Sequence, residues 1–273
     1  MKMTLDLGSH RVQVDLTRGA DISIPYSFDT PQPRAFGAPP ARAETFVAGS
    51  FIGDTRRGGS CNVGVYHLVP HCNGTHTECV GHITDDPVFI AEHTGGKFLL
   101  ATVVSVTPEA ASTTHETSDP PPQRDDFLVT ARVLEEPIAR LGCSFVQALV
   151  IRTLPNPPEK ATRGHDGASM PPYLTLEAVR LLRGIGVEHL LVDLPSIDRL
   201  VDQGRMAAHR VFWGLEPGSR DAKRANRAHC TITEFVYVPD AVPDGHYVLD
   251  LQVPRFLTDA APSRPILFPA ELL

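Results

Sequence analysis

The sequence predicts an α/β protein built on a curved, mixed sheet. Three observations carry that reading. Strand-like segments outnumber clear helices, and one stretch (residues 175–194) reads as helix, glycine turn and buried strand. Twenty-five prolines among 273 residues favour turns and loops over long helices.

The elements follow in chain order. Residues 11–16 and 21–24 alternate apolar and polar side chains, as half-buried strands do. Residues 30–42 are rich in Pro and Ala and read as a loop. Residues 61–69 alternate again, with Val63, Val65 and His67 on one face. Residues 96–107 and 145–154 are apolar runs with β-branched side chains and the length of buried strands. Between them, residues 113–126 hold Pro120, Pro121 and Pro122 in polar surroundings and predict an exposed loop. Thr175 is a helix N-cap candidate, a glycine at 184 can end that helix, and residues 187–194 form a buried strand. Residues 231–238 and 247–253 add two more strands. No internal repeat, low-complexity tract or linker divides the chain, so one domain over residues 1–273 is expected.

Composition narrows the function. A net charge of −7 argues against a nucleic-acid partner. No stretch approaches 18 apolar residues, and residues 1–10 lack the apolar core of a leader, so no membrane association is expected. Five cysteines (Cys61, Cys72, Cys79, Cys143 and Cys230) form no C-x-x-C pair and suit free thiols in a reducing, cytoplasmic compartment. Several catalytic signatures are absent. The stretch from Gly58 to Asn62 lacks the closing glycine of a nucleophile elbow, Gly184 to Gly186 precedes a strand, and Lys97 is followed by Phe98.

The informative segment runs from His71 to His82. Twelve residues hold three His, two Cys and one Glu, all ligand types for a borderline divalent metal. Cys72, His76, Glu78 and His82 are separated by even numbers, so an extended strand would place them on one face. A straight strand would also spread them over roughly 33 Å, so the chain must curl, and Gly74 and Gly81 are the residues that would allow it. The competing reading is a polar loop rich in His that binds nothing. Cys79 fits packing better than ligation. A second, independent signal is Glu234, which alternation puts on the same face as Ile232, Val236 and Val238. A carboxylate on an apolar strand face is costly unless it coordinates a metal, pairs with an Arg, or reaches water from an edge strand.

The segment Asn73-Gly-Thr-His76-Thr-Glu78, followed by His82, resembles the H-x-G-T-H-x-D-x-P-x-H signature of the cyclase family, which includes bacterial kynurenine formamidases and isatin hydrolases. The similarity extends to Asp193, Ser196 and Asp198 in a D-x-x-S-x-D pattern, to His209, and to Glu234. Together these span most of residues 50–240. The resemblance implies a swivelling β/β/α sandwich, commonly a homodimer or higher homo-oligomer. It also implies a metal-dependent hydrolase cleaving a small amide, formamide or lactam. One or two divalent ions, zinc or manganese, would be held by Cys72 (or His71), His76, Glu78, His209 and Glu234. His82 would be the general base that later protonates the leaving amine, or else a further ligand. Asp193, Ser196 and Asp198 would support ligands or shape their loop. This chain departs from the signature at Cys72, Glu78 and Val80, and residues 214–228 look inserted. The rival to catalysis is a homologue that binds a metal or small molecule without turnover.

Overall fold

Every residue from 148 to 153 is buried, which only a central strand with both faces covered allows. The computed structural model describes all residues except Ser9, 94–97, 143–146 and 166–169. Its principal elements are β1 (Lys2–Leu7), β2 (His10–Asp15), α1 (Pro70–Asn73), β3 (His76–Glu78) and β4 (Phe98–Val106), then α2 (Ala131–Leu141), β5 (Ala148–Thr153) and α3 (Leu176–Gly184). After these come β6 (His189–Val192), α4 (Ala207–Trp213), β7 (Thr231–Glu234), β8 (Gly245–Gln252), β9 (Ala260–Pro262) and β10 (Arg264–Leu272). One large mixed sheet orders them β1-β2-β10-β8-β4-β5-β6-β7-β3-β9, and the short strand Ala20–Asp21 pairs with β10 as the eleventh. The four strands β4 to β7 run parallel, while β3 returns antiparallel beside β7.

Alternation within the central strands divides the core into two layers. Val104, Val106, Leu149, Ile151, Leu190, Val192 and Ile232 face the helices and pack with Leu134, Leu182, Phe212 and Trp213. Ala101, Val103, Ala148, Val150 and Leu191 face the other way, onto Ile22, Val236, Val238 and Val242. Full burial of each large aliphatic side chain contributes about 1.5–3 kcal/mol. Threonines start two of the helices. Thr130 Oγ1 accepts from Val133 N at 3.3 Å, and Thr175 Oγ1 from Ala178 N at 3.0 Å, each satisfying a free first-turn amide.

Two expectations need correction, and two strands have no signal in the sequence. Residues 64–67 are a strand, but an exposed one, paired only with residues 42–45. The strand expected over 231–238 ends at Glu234, because Phe235 takes a left-handed backbone with φ +55°. Ile232 therefore points to the helix layer, while Val236 and Val238 sit in the opposite layer. Strands β9 and β10 were not expected. Their prolines and short apolar runs hide the alternation.

These layers predict a contrast in stability. Leu190→Ala, at a fully buried helix-side position, should cost about 2–5 kcal/mol in urea unfolding. Val65→Ala, on the exposed strand, should stay within about 0.5 kcal/mol. Equal losses would contradict the two-layer core.

Candidate metal centre

Strand β3 contributes two side chains from one face. His76 and Glu78 alternate with Thr77, whose hydroxyl turns the other way to meet Thr233 Oγ1 at 2.8 Å. Pairing with β7 sets His76 opposite Glu234, and Glu234 Oε2 lies 3.5 Å from His76 Nε2. Glu234 is held by Ile197, whose amide donates to Oε1 at 2.8 Å. The first turn of α4 brings in His209, with Nε2 2.9 Å from Glu78 Oε1 and 3.6 Å from Glu234 Oε1. His71 and His82 complete the group: Glu78 Oε2 is 3.0 Å from His71 Nδ1 and 3.8 Å from His82 Nε2. Glu78 is thus the hub.

Two loops hold this arrangement. Asp198 accepts from the amides of Ala208 and His209 at 2.8 and 3.1 Å, covering free donors at the start of α4. The same carboxylate lies 2.6 Å from His209 Nδ1, which leaves Nε2 to face Glu78. Thr75 Oγ1 accepts from Ile24 N at 2.6 Å and donates to the carbonyl of Phe235, tying the start of β3 to the end of β7. The two glycines of the segment serve close approach. A Cβ on Gly74 would stand 2.9 Å from the Tyr26 ring, and one on Gly81 would stand 2.4 Å from the Val88 carbonyl oxygen. The curl itself comes from α1 before the strand and a 3-10 turn over Val80–Ile83 after it.

Ligand atoms of three overlapping groups lie within 4.8 Å of one another: His71, His76 and Glu78; Glu78, His82 and His209; and His71, His82 and Asp259. Four buried atoms there make no well-aligned hydrogen bond among the described residues and meet one another only as ion-pair contacts: His76 Nε2, both Glu78 oxygens and His209 Nε2. Buried polar atoms left this way are costly, and imidazole nitrogens with carboxylate oxygens are the donor set of zinc and manganese. The residues fit a divalent ion. Charge is already arranged without one. Burial alone would raise the Glu78 carboxyl, but the neighbouring His82 and His209 rings hold it well below the usual range. Burial would lower His71, yet Asp259 and Glu78 bring it up to about 10; His209 is raised by Glu78 and Asp198 against the same burial.

His76, Glu78, His82 and His209 fall within these groups, and His71 joins two of them. Glu234 and Cys72 join none, but Glu234 lies 3.5 Å from His76 Nε2 and 3.6 Å from His209 Nε2. Period-two alternation does not extend to His71 and Cys72, because residues 70–73 form a helical turn where successive side chains diverge by about 100°. Cys79 is packed, with its sulfur 3.3 Å from the Asp259 carbonyl oxygen, and burial pushes its thiol up to about 12. Ser196 shapes its loop by accepting from Asp198 N at 3.1 Å. Asp193 stands apart, 2.8 Å from Lys160 Nζ, with Thr153 bonded to it through both amide and hydroxyl. The stretch 214–228 folds against the loop at Asp85 and Asp86, with Ala222 N bonded to Asp86 at 2.8 Å and Asp85 N to the Arg220 carbonyl at 2.8 Å. Asp259 went unnoticed in the sequence, where an acidic residue in a loop before a short strand carries no signal.

A cavity of about 640 Å³ opens where β4, β5, β6 and β7 end, lined by Thr107, Leu154, Leu194 and Phe235 among others. Carboxyl ends of parallel strands are where open α/β sheets place ligands. The Phe235 ring stands between this cavity and the cluster, its centroid 6.3 Å from that of His76.

No curated protein matches the chain in sequence. Among solved structures, a Bacillus stearothermophilus protein described as a predicted metal-dependent hydrolase superposes with TM-score 0.59 at 16% identity, over 92% of this chain and 98% of its own. Isatin hydrolase A from Labrenzia aggregata, bound to benzyl benzoate, gives 0.58 at 18% identity, over 93% and 94%. An isatin hydrolase bound to the product analogue thioisatinate gives 0.57 at 15% identity, over 93% of each chain. These likenesses establish a shared fold. In sequence, the Cyclase family matches residues 20–199, more than half of the protein, and the chain belongs to that family.

Proposed function

We propose that the protein is a metal-dependent hydrolase acting on the C–N bond of a small amide, formamide or lactam. The observation that carries this is the convergence of buried imidazole nitrogens and carboxylate oxygens on Glu78, with no well-aligned hydrogen bond among them. His71, His76, Glu78, His209 and Glu234 would hold one or two ions, and the two oxygens of Glu78 face different imidazoles. His71 replaces Cys72 in this set, which removes the thiolate that would favour zinc over manganese. A bound ion of this kind supplies Lewis acidity and lowers the pKa of water toward about 7.

The protein's own groups have separate tasks. His82 is the general base: it is partly exposed, its Nε2 faces the cluster, and Asp259 Oδ2 lies 3.3 Å from its Nδ1. A proton taken by His82 from the attacking water is the proton that a departing amine needs. Asp198 keeps His209 in one orientation throughout. The amide class draws support from the isatin hydrolases that share the fold.

Protein purified without chelator should carry about one to two zinc or manganese ions per chain by elemental analysis, and should turn over members of a formamide and lactam panel. His76→Ala and Glu234→Ala should each lose metal, activity and stability together. His71→Ala should lose metal, whereas Cys72→Ser should retain it. Absence of metal in the wild type would overturn the hydrolase reading. Metal without turnover would favour the non-catalytic binder.

The charged cluster also sets a pH dependence. The His71 and His209 pKa values lie above the ordinary 6.5. Their protonated forms stabilise the metal-free fold fully below pH 6.5, and that contribution fades as pH rises toward about 10 for His71. Glu78 lies below its ordinary 4.5, so its contribution is present above pH 4.5 and is lost as pH falls further. Ligation needs neutral imidazole, so metal binding must expel protons. Between pH 6.5 and 10, the cluster should lower metal-free stability while metal affinity rises, measured by thermal melts and chelator competition. A metal affinity that falls over that window would contradict the assignment.

A further inference from the structure

We propose that Asp259 is a positioning residue that turns two imidazoles, His71 and His82, toward the metal; this rests on the metal reading above. A single oxygen, Asp259 Oδ2, lies 2.9 Å from His71 Nε2 and 3.3 Å from His82 Nδ1. An N–H donated at each of these nitrogens fixes the tautomer of each ring. Without metal, His71 Nδ1 faces Glu78 Oε2 at 3.0 Å; with a metal bound, the Asp259 bond at Nε2 would leave Nδ1 as the nitrogen that gives up its proton to ligate. His82 is left with an unprotonated Nε2, also on the Glu78 side. One ring is thereby prepared as a ligand and the other as a base.

The backbone makes this more than a chance surface contact. The Asp259 carbonyl accepts from Cys79 N at 3.0 Å, within the segment that joins Glu78 to His82. Its neighbour Ala260 stands opposite Glu78 in the β3–β9 pairing. The His71 and His82 rings stack with centroids 4.2 Å apart, so one carboxylate can reach both. The need for such a holder follows from the departure in sequence. His71 lies one place before the signature position, on a four-residue helical turn, and no strand pairing sets its direction as the β3–β7 register sets that of His76. Removing the group that orients a metal-bound imidazole typically weakens metal binding about 10–100-fold.

The test is zinc affinity by chelator competition for wild type, Asp259→Ala and Asp259→Asn, with the His71 ring N–H followed by ¹⁵N NMR on the zinc-loaded proteins. That signal is assigned by its loss in His71→Gln. Asp259→Ala should bind zinc about 10–100-fold more weakly and lose the protected His71 Nε2–H signal. Asp259→Asn keeps an acceptor oxygen without the charge, and should stay within a few-fold of wild type and keep the signal. Wild-type affinity in Asp259→Ala overturns the proposal. So does an Asp259→Asn protein that loses the signal or binds as weakly as the alanine variant, since Asp259 would then supply charge alone. Should the alanine variant fail to fold, the asparagine variant decides by the same criterion. A wild type without affinity for zinc or manganese overturns the metal reading itself, a result separable from the others.

Discussion

The burial of Glu78 is the constraint on which the rest of the site depends. Its side chain is fully enclosed, and its oxygens meet only imidazole nitrogens, without a well-aligned hydrogen bond. A carboxylate in that position is tolerable only if positive charge surrounds it. His71 and His209, both raised above their ordinary pKa, answer that demand, and His82 lies beside them. Each arrives on a different local structure: His71 on the helical turn α1, His82 on a 3-10 turn and His209 on α4. A divalent cation would answer the same demand with one charge centre. Protons and metal would therefore compete for the cluster.

Around this hub, the fold acts as a positioning device. The antiparallel return of β3 beside β7 aligns His76 with Glu234, so two groups 158 positions apart meet by register alone. The break at Phe235 does two things at once. It ends β7 directly after the carboxylate, and it sends the following residues to the opposite core layer. The left-handed backbone of a bulky residue is uncommon and costs about 1–3 kcal/mol, a strain typical of functional sites. Asp198 and Asp259 play matching parts on opposite sides: each accepts from the outward nitrogen of an imidazole whose other nitrogen faces Glu78.

How far the sequence discloses this depends on how local each signal is. The central strands were legible because burial on both faces leaves unbroken apolar runs, and Thr175 was legible as a cap because capping needs only a hydroxyl three residues before an amide. Glu234 stood out because it violates the pattern of its own strand. The extended-strand spacing that favours Cys72 does not hold, because residues 70–73 form a helical turn, and Gly74 and Gly81 matter for space where conformational freedom is expected. Asp259 could not be found at all. Its role exists only through contacts 177 and 188 positions away, and nothing in its neighbours marks it.

The most direct test of the central claim is X-ray absorption at the zinc edge of the zinc-loaded protein. A centre built on Glu78 and its imidazoles predicts only nitrogen and oxygen neighbours at about 2.0–2.2 Å. A sulfur neighbour at about 2.3 Å would return Cys72 to the ligand set and contradict the geometry that brings in His71.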